Sequence, residues 1–230
     1  MSLLRNSIRF VFLACLFMNS ITFSQQRAVT EDGKTVILYS DGTWKYDTST
    51  PYEADSNAFR DTYWGMTKIQ VKAVEKSELV KEDTDLLAYK GNVAELNCYI
   101  LYIFVDGLLV RGKYVIIEEH SNRNDYISDY KKLKNLLQGK YKKPSKDEIY
   151  WKNDLYRDEY QSWGFAVSLG HLVYFTEWKT PTTDINLGLY GENYDITLAV
   201  EYISTKYKGL EEAAKKRKPR VNFDSLSESC

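Results

Sequence analysis

The chain has 230 residues, 43% of them hydrophobic, with 31 basic and 32 acidic side chains and a formal charge of −1. That length supports one ordinary hydrophobic core with a small appendage, and the near-neutral balance argues against an electrostatic grip on nucleic acid. Three cysteines, Cys15, Cys98 and Cys230, are too few for a disulfide framework.

The chain opens on MSLLRNSIRF, which carries Arg5 and Arg9 and no acid, and an apolar run follows over 10–18. A membrane span needs about twenty such residues, so this run of about nine fits the hydrophobic region of a secretory signal and not a transmembrane anchor. Thr22 and Ser24 supply small residues at the positions a signal peptidase reads, so 1–24 is read as a signal peptide cleaved after Ser24. A competing reading makes Cys15, preceded by Ala14, the acylated cysteine of a lipoprotein, which would leave the chain lipid-anchored. The apolar residues that continue past Cys15 favour plain cleavage. Loss of Arg5 and Arg9 takes the formal charge from −1 to −3 and places the working chain in the periplasm or outside the cell.

Residues 27–46 hold two β-rich runs around Asp41-Gly42, a strong hairpin signal because the turn needs positive φ and glycine supplies it. Residues 47–58 are polar, contain Pro51 and read as a linker. The main domain is placed at 59–207. Thr67 with Gln70 three residues on forms a capping box, and Met66 before the cap is placed to staple onto Val71, so a short helix is predicted over 68–76. A charged turn leads to strand-like runs at 86–89, 94–105 and 108–117, the last two joined by Asp106-Gly107. Tyr126, Tyr130, Leu133, Leu137 and Tyr141 then fall at three-and-four spacing, predicting a long helix over 124–141 that ends before Pro144. Residues 145–163 have no clean period and read as an irregular excursion that holds at most a short helix. Strands are predicted at 171–178, 184–190 and 194–203, the last alternating Ile196, Leu198, Val200 and Tyr202 with wetter positions.

In sum the expectation is an α+β fold: a β-hairpin, then two α-β-β-β units forming antiparallel sheet with helices packed on one face. A basic polar tail, 208–230, follows; Glu211, Glu212, Lys215 and Lys216 can extend a surface helix through i,i+4 pairs.

Chemistry is sparse. Only His120 and His171 are available as bases, and Ser168, near His171, lacks the glycine-flanked elbow of a serine hydrolase. Glu118, His120 and Asp125 form an oxygen-rich group where a strand gives way to a helix, a weak cation site without recognised ligand spacing. Asp154 and Asp158, with Trp151, Tyr156 and Trp163 around them, have the acid and aromatic make-up of a glycan or small-ligand site. The plainer reading is an aromatic loop packed over a sheet edge. No cofactor motif is present: the glycines sit singly at turns, with no phosphate-cradling loop.

The heptapeptide Gly65-Met66-Thr67-Lys68-Ile69-Gln70-Val71 resembles the helix-opening motif of the small lipoprotein subunit of the bacterial outer-membrane β-barrel assembly machinery, in which the helix leads into three antiparallel strands. The doubled element order is similar in outline to secreted β-lactamase inhibitor proteins. The stretch 59–207 also resembles uncharacterised exported bacterial domains with the same Trp-Gly-Met opening, often preceded by a short hairpin module. These resemblances bear on the fold; the export signal, the antiparallel sheets and the missing catalytic groups point to a cell-envelope interaction module. The chain is therefore expected to be no enzyme, to need no cofactor, and to hold an extracytoplasmic protein, with glycan or small-ligand binding by the aromatic loop as the alternative.

Overall fold

The computed structural model describes residues 26–30, 35–46 and 58–217. The proposed signal peptide with Cys15, most of the proposed linker, and the end of the tail with Cys230 lie outside the described residues. The chain divides into two compact units, within 1–49 and within 50–230.

In the first unit, β1 (Gln26–Val29), β2 (Thr35–Leu38) and β3 (Trp44–Tyr46) form an antiparallel sheet in that order. The predicted hairpin is β2–β3, and β1 adds a strand that the sequence reading left unassigned. Gly42 takes φ +80°, while the Asp41 carboxylate accepts from the Thr43 hydroxyl and amide at 2.6 and 2.8 Å. Those two bonds hold the Asp41 carboxyl below its ordinary range.

The second unit opens with the predicted cap. Gln70 N donates to Thr67 Oγ1 and Thr67 N donates to Gln70 Oε1, starting α1 (Lys68–Val74). Four strands follow where three were expected: β4 (Glu78–Asp83), β5 (Leu86–Val93), β6 (Leu96–Val105) and β7 (Leu108–Ile116). Helix α2 (Asn124–Tyr141) spans the predicted residues and stops at Lys142, which takes φ 66° two residues before Pro144. The segment read as an irregular excursion contains β8 (Lys146–Trp151), a turn of 3₁₀ helix (Tyr160–Ser162) and the start of α3 (Trp163–Ser168). Then come β9 (Leu172–Lys179), β10 (Thr183–Glu192), β11 (Asp195–Ser204) and α4 (Lys208–Arg217), which packs alongside β6.

The two extra strands are the two edges of one eight-stranded antiparallel sheet of order β4-β5-β6-β7-β11-β10-β9-β8. Expecting three strands after each helix is thus corrected to four. The reason is positional: a strand paired on one side only buries too little to show the alternation that marks β6 or β9. All six residues of β4 are exposed, and β8 reads KDEIYW with no fully buried member.

Alternation is clear along β6, β9 and β10. Cys98, Ile100, Tyr102 and Phe104 of β6, Tyr174 and Trp178 of β9, Ile185, Leu187 and Leu189 of β10, and Leu198, Val200 and Tyr202 of β11 point to one face. There they join Val71 of α1, Ile127, Tyr130, Leu133 and Leu137 of α2, and Ala166 and Val167 of α3 in a single core. So α1, α2 and α3 share one face of the sheet. Tyr130 ties α2 to β9, its phenol 2.6 Å from the Thr176 hydroxyl, which donates in turn to Asp147 of β8 at 3.0 Å.

Two close approaches set the packing. Phe59 sits over Gly112, where a Cβ would come within 2.2 Å of the Phe59 ring. At Gly164 of α3 a Cβ would meet the Arg123 carbonyl carbon at 2.2 Å, so α3 abuts the first turn of α2 backbone to backbone. Backbone cannot yield as a side-chain tip can. Gly164→Ala is expected to lower stability by about 2–3 kcal/mol, measured by urea unfolding, whereas Gly139→Ala on the open side of α2 leaves it unchanged or slightly raised.

Candidate functional site

The aromatic loop between β8 and α3 is assembled by its own rings. Trp151 and Trp163 meet edge-to-face at 5.5 Å between centroids, Tyr160 lies 5.1 Å from Trp163, and Tyr156 meets Phe165 at 5.6 Å and stacks near His171 at 6.2 Å. Trp151, Tyr156 and Trp163 are half-buried and pack on the core, and the Trp163 indole donates to the Arg157 carbonyl at 3.0 Å. Asp154 pairs with Arg157 at 3.1 Å, three residues on, and Asp158 is exposed. The five predicted site residues are therefore close in the chain, but the rings turn to one another and Asp154 braces its own loop. What the loop presents outward is Leu155, Tyr160 and, from the β10–β11 turn, Tyr194, 67, 54 and 60% exposed.

Tyr194 holds φ 74° and Asn193 φ 51°, the paired positive values of a two-residue hairpin turn, and the Tyr194 amide donates to the Ser168 carbonyl at 3.0 Å. A bulky side chain in that region costs about 1 kcal/mol. Tyr194→Gly is expected to raise the unfolding free energy by about 0.5–1 kcal/mol, read from thermal or urea midpoints.

Glu118, His120 and Asp125 are each otherwise engaged or apart. The Glu118 carboxylate accepts from the Asn97 amide at 2.6 Å, His120 pairs with Asp129 at 2.6 Å against the edge of Tyr126, and Asp125 is an exposed residue in the first turn of α2. Among the described residues no three His, Cys, Asp or Glu side chains gather at metal-binding distance. The Ser168 hydroxyl is buried and donates to the Phe165 carbonyl at 2.8 Å, a helical back-bond rather than a contact with His171.

Sequence reasoning passed over the face of the sheet opposite α1–α3. Its positions follow from register: Lys113 of β7 lies beside Glu201 of β11, Glu201 beside Asn186 of β10, Ala199 beside Gly188, and Gly188 beside Phe175 of β9. Two residues with little or no side chain thus stand side by side, with Phe175, Val173 and Tyr190 on one flank and Lys113, Glu201 and Asn186 on the other. They form a depression of about 160 Å³. Glu201 holds Arg111 at 2.6 Å and Lys113 at 4.0 Å, so one carboxylate faces two cations. Toward β5 the same face is closed, Leu86 and Ala88 being buried; over β10, β9 and β8 it is reachable, with Tyr190 42% and Tyr150 39% exposed. The signal was present as Gly188 in the middle of an alternating strand, where glycine marks a bulge or a close approach.

No family model, curated protein or solved structure matches the chain. Among the described residues no helix is long and apolar enough to cross a membrane. The fold and this site define an α+β domain with one helix-covered sheet face and a shallow, aromatic-flanked hollow on the other.

Proposed function

We propose that the chain is an exported, non-enzymatic interaction module of the bacterial cell envelope, which holds another protein against the sheet face over β11, β10, β9 and β8. The observation that carries the reading is the hollow at Gly188 and Ala199, flanked by Phe175 and Tyr190 and bordered by Arg111, Lys113 and Glu201. A small apolar centre with a charged rim is the anatomy of a protein interface. The strand order supports descent from a doubled helix-plus-four-strand unit, since β4 to β7 and β11 to β8 run inward from opposite edges and meet at the β7–β11 pair. The pairing of His120 with Asp129 and the backbone bond of the Ser168 hydroxyl support the non-enzymatic part.

Phe175→Asp and Tyr190→Asp lie on the half-buried or exposed side of the sheet and leave the core intact. In affinity purification of the tagged full chain from its producing cells, each is expected to reduce recovery of a stoichiometric partner at least tenfold with the unfolding midpoint unchanged. Equal recovery with wild type and both variants would overturn the reading.

A further inference from the structure

We propose that β8 is a dimerisation edge: two copies of this chain join β8 to β8, antiparallel about a two-fold axis at Tyr150, into one continuous sheet. The inference goes beyond the docking face and does not depend on it. Among the described residues β8 pairs with β9 alone and ends the sheet order. Lys152 N donates to the His171 carbonyl at 2.7 Å, and alternate residues of an antiparallel ladder bond the same neighbour, so Lys146, Glu148 and Tyr150 also turn their main-chain groups to β9. The amides and carbonyls of Asp147, Ile149 and Trp151 therefore point outward, a template for another strand. The opposite edge is blunted. β4 carries a bulge between Leu79 and Lys81, and the Lys68 amine of α1 reaches the Asp83 carbonyl at its end, whereas β8 holds register with β9 over all its residues. β8 also exposes an apolar side chain on each face, Ile149 at 54% and Tyr150 at 39%.

What commits this edge to a second copy is its complementarity to itself. An axis at Tyr150 sets Tyr150 against Tyr150, Ile149 against Trp151 and Glu148 against Lys152, the last two pairs each formed twice by symmetry. Ile149 and Trp151 then satisfy each other's outward amides and carbonyls. The faces agree as well. Asp147 accepts from Thr176, whose hydroxyl meets Tyr130 of α2, so Ile149 and Trp151 lie with Asp147 on the helix side and form an apolar pair there. Glu148 and Tyr150 lie on the open side, beside Phe175 and Val173, and Lys152 continues that alternation, so the tyrosine pair at the axis is flanked by opposite charges. Lys152 is exposed and forms no ion pair among the described residues, while Glu148 meets Lys146 through Oε2 at 3.0 Å and keeps Oε1 for the incoming lysine. Neighbouring registers fail. An axis at Ile149 sets Lys146 against Lys152, one at Glu148 sets that carboxylate against itself, and one at Trp151 sets Glu148 against Asp154; like charges directly opposed are destabilising.

The test begins with sedimentation equilibrium of the purified full chain, with no other protein present. A monomer–dimer equilibrium is expected. Lys152→Glu alone and Glu148→Lys alone should each weaken it about tenfold, since each opposes like charges twice per dimer, and the two together should restore it. Restoration in the double variant also rules out misfolding as the cause of the single losses. Tyr150 at the axis falls in a non-hydrogen-bonded pair, where Cα atoms stand about 4.5 Å apart, so Tyr150→Cys should give a disulfide-linked dimer under mild oxidation. Cys15→Ser and Cys230→Ser remove the competing thiols, and in the same background Val80→Cys on β4 should give no linked dimer. A wild-type chain that stays monomeric up to its solubility limit would overturn the proposal. So would a dimer indifferent to both charge reversals, or one that links through Val80→Cys and not through Tyr150→Cys. Partner recovery plays no part in these readings, so the dimer edge and the docking face fail independently.

Discussion

Glu75→Gln is expected to lower the unfolding free energy by about 3 kcal/mol, the cost of removing one partner from a buried ion pair. The Glu75 side chain is 1% exposed and directly follows α1. Its oxygens take Arg60 Nε at 2.8 Å and Arg60 Nη2 at 3.1 Å, the Tyr102 hydroxyl at 2.5 Å, and the amides of Lys76 and Ser77 at 2.9 and 2.8 Å. One carboxylate thereby fastens the segment before α1, the residues after it and the centre of β6. Glutamine keeps the shape but loses the charge, leaving Arg60 and several donors with a weaker acceptor. Burial pushes the Glu75 carboxyl up; the hydrogen bonds from Tyr102 and Ser77 and the charge of Arg60 outweigh it, and the net result is a lowered pKa. A carboxyl lowered by folding contributes its stability above the unfolded value of about 4.3, and that contribution fades as pH falls through the folded value. Urea midpoints of wild type and Glu75→Gln should therefore lie far apart at pH 7 and converge in acid. Parallel midpoints at all pH values would show that the charge of Glu75 does not hold this joint. Asp154→Asn, on an exposed pair, should change little.

Phe59→Ala is expected to cost about 3–5 kcal/mol. The ring is 1% exposed and lies 5.3, 4.9 and 5.2 Å, centroid to centroid, from Tyr102, Tyr114 and Tyr202, filling the room above Gly112 at the middle of the sheet. It closes the core exactly where β7 meets β11, so its loss opens a cavity between the two halves of the strand order. Gly112→Ala pushes a methyl into that ring and should cost about 2–3 kcal/mol by itself. In the Phe59→Ala background the same substitution should cost nothing or recover some stability, because the methyl then enters the space the ring has left. Additive costs in this double-mutant cycle would deny that the Phe59 ring is what Gly112 accommodates.

What could be read in the amino-acid order follows from how much each residue buries. The cap at Thr67 and Gln70, the 124–141 helix and the strands β6, β7, β9, β10 and β11 carry local chemistry or a buried face, and both leave a periodic trace. Edges β4 and β8 leave none, since their partners supply the pairing and water meets the rest. At the site, the aromatic loop was visible as composition, yet only geometry shows Trp151 and Trp163 turned upon each other. The hollow was invisible for a different reason. Gly188, Ala199 and Phe175 come from three strands, and nothing local says that register will set them in one row.

The most direct measurement for the docking face is position-resolved photo-crosslinking in the producing cells, with benzoylphenylalanine placed in turn at Phe175, Tyr190, Ile69 and Leu136. The last two are exposed residues of α1 and α2, on the opposite side of the sheet. Adducts to one and the same protein from positions 175 and 190, with none from 69 or 136, are the expected result; adducts to that protein from 69 or 136, or none from 175 and 190, would contradict it.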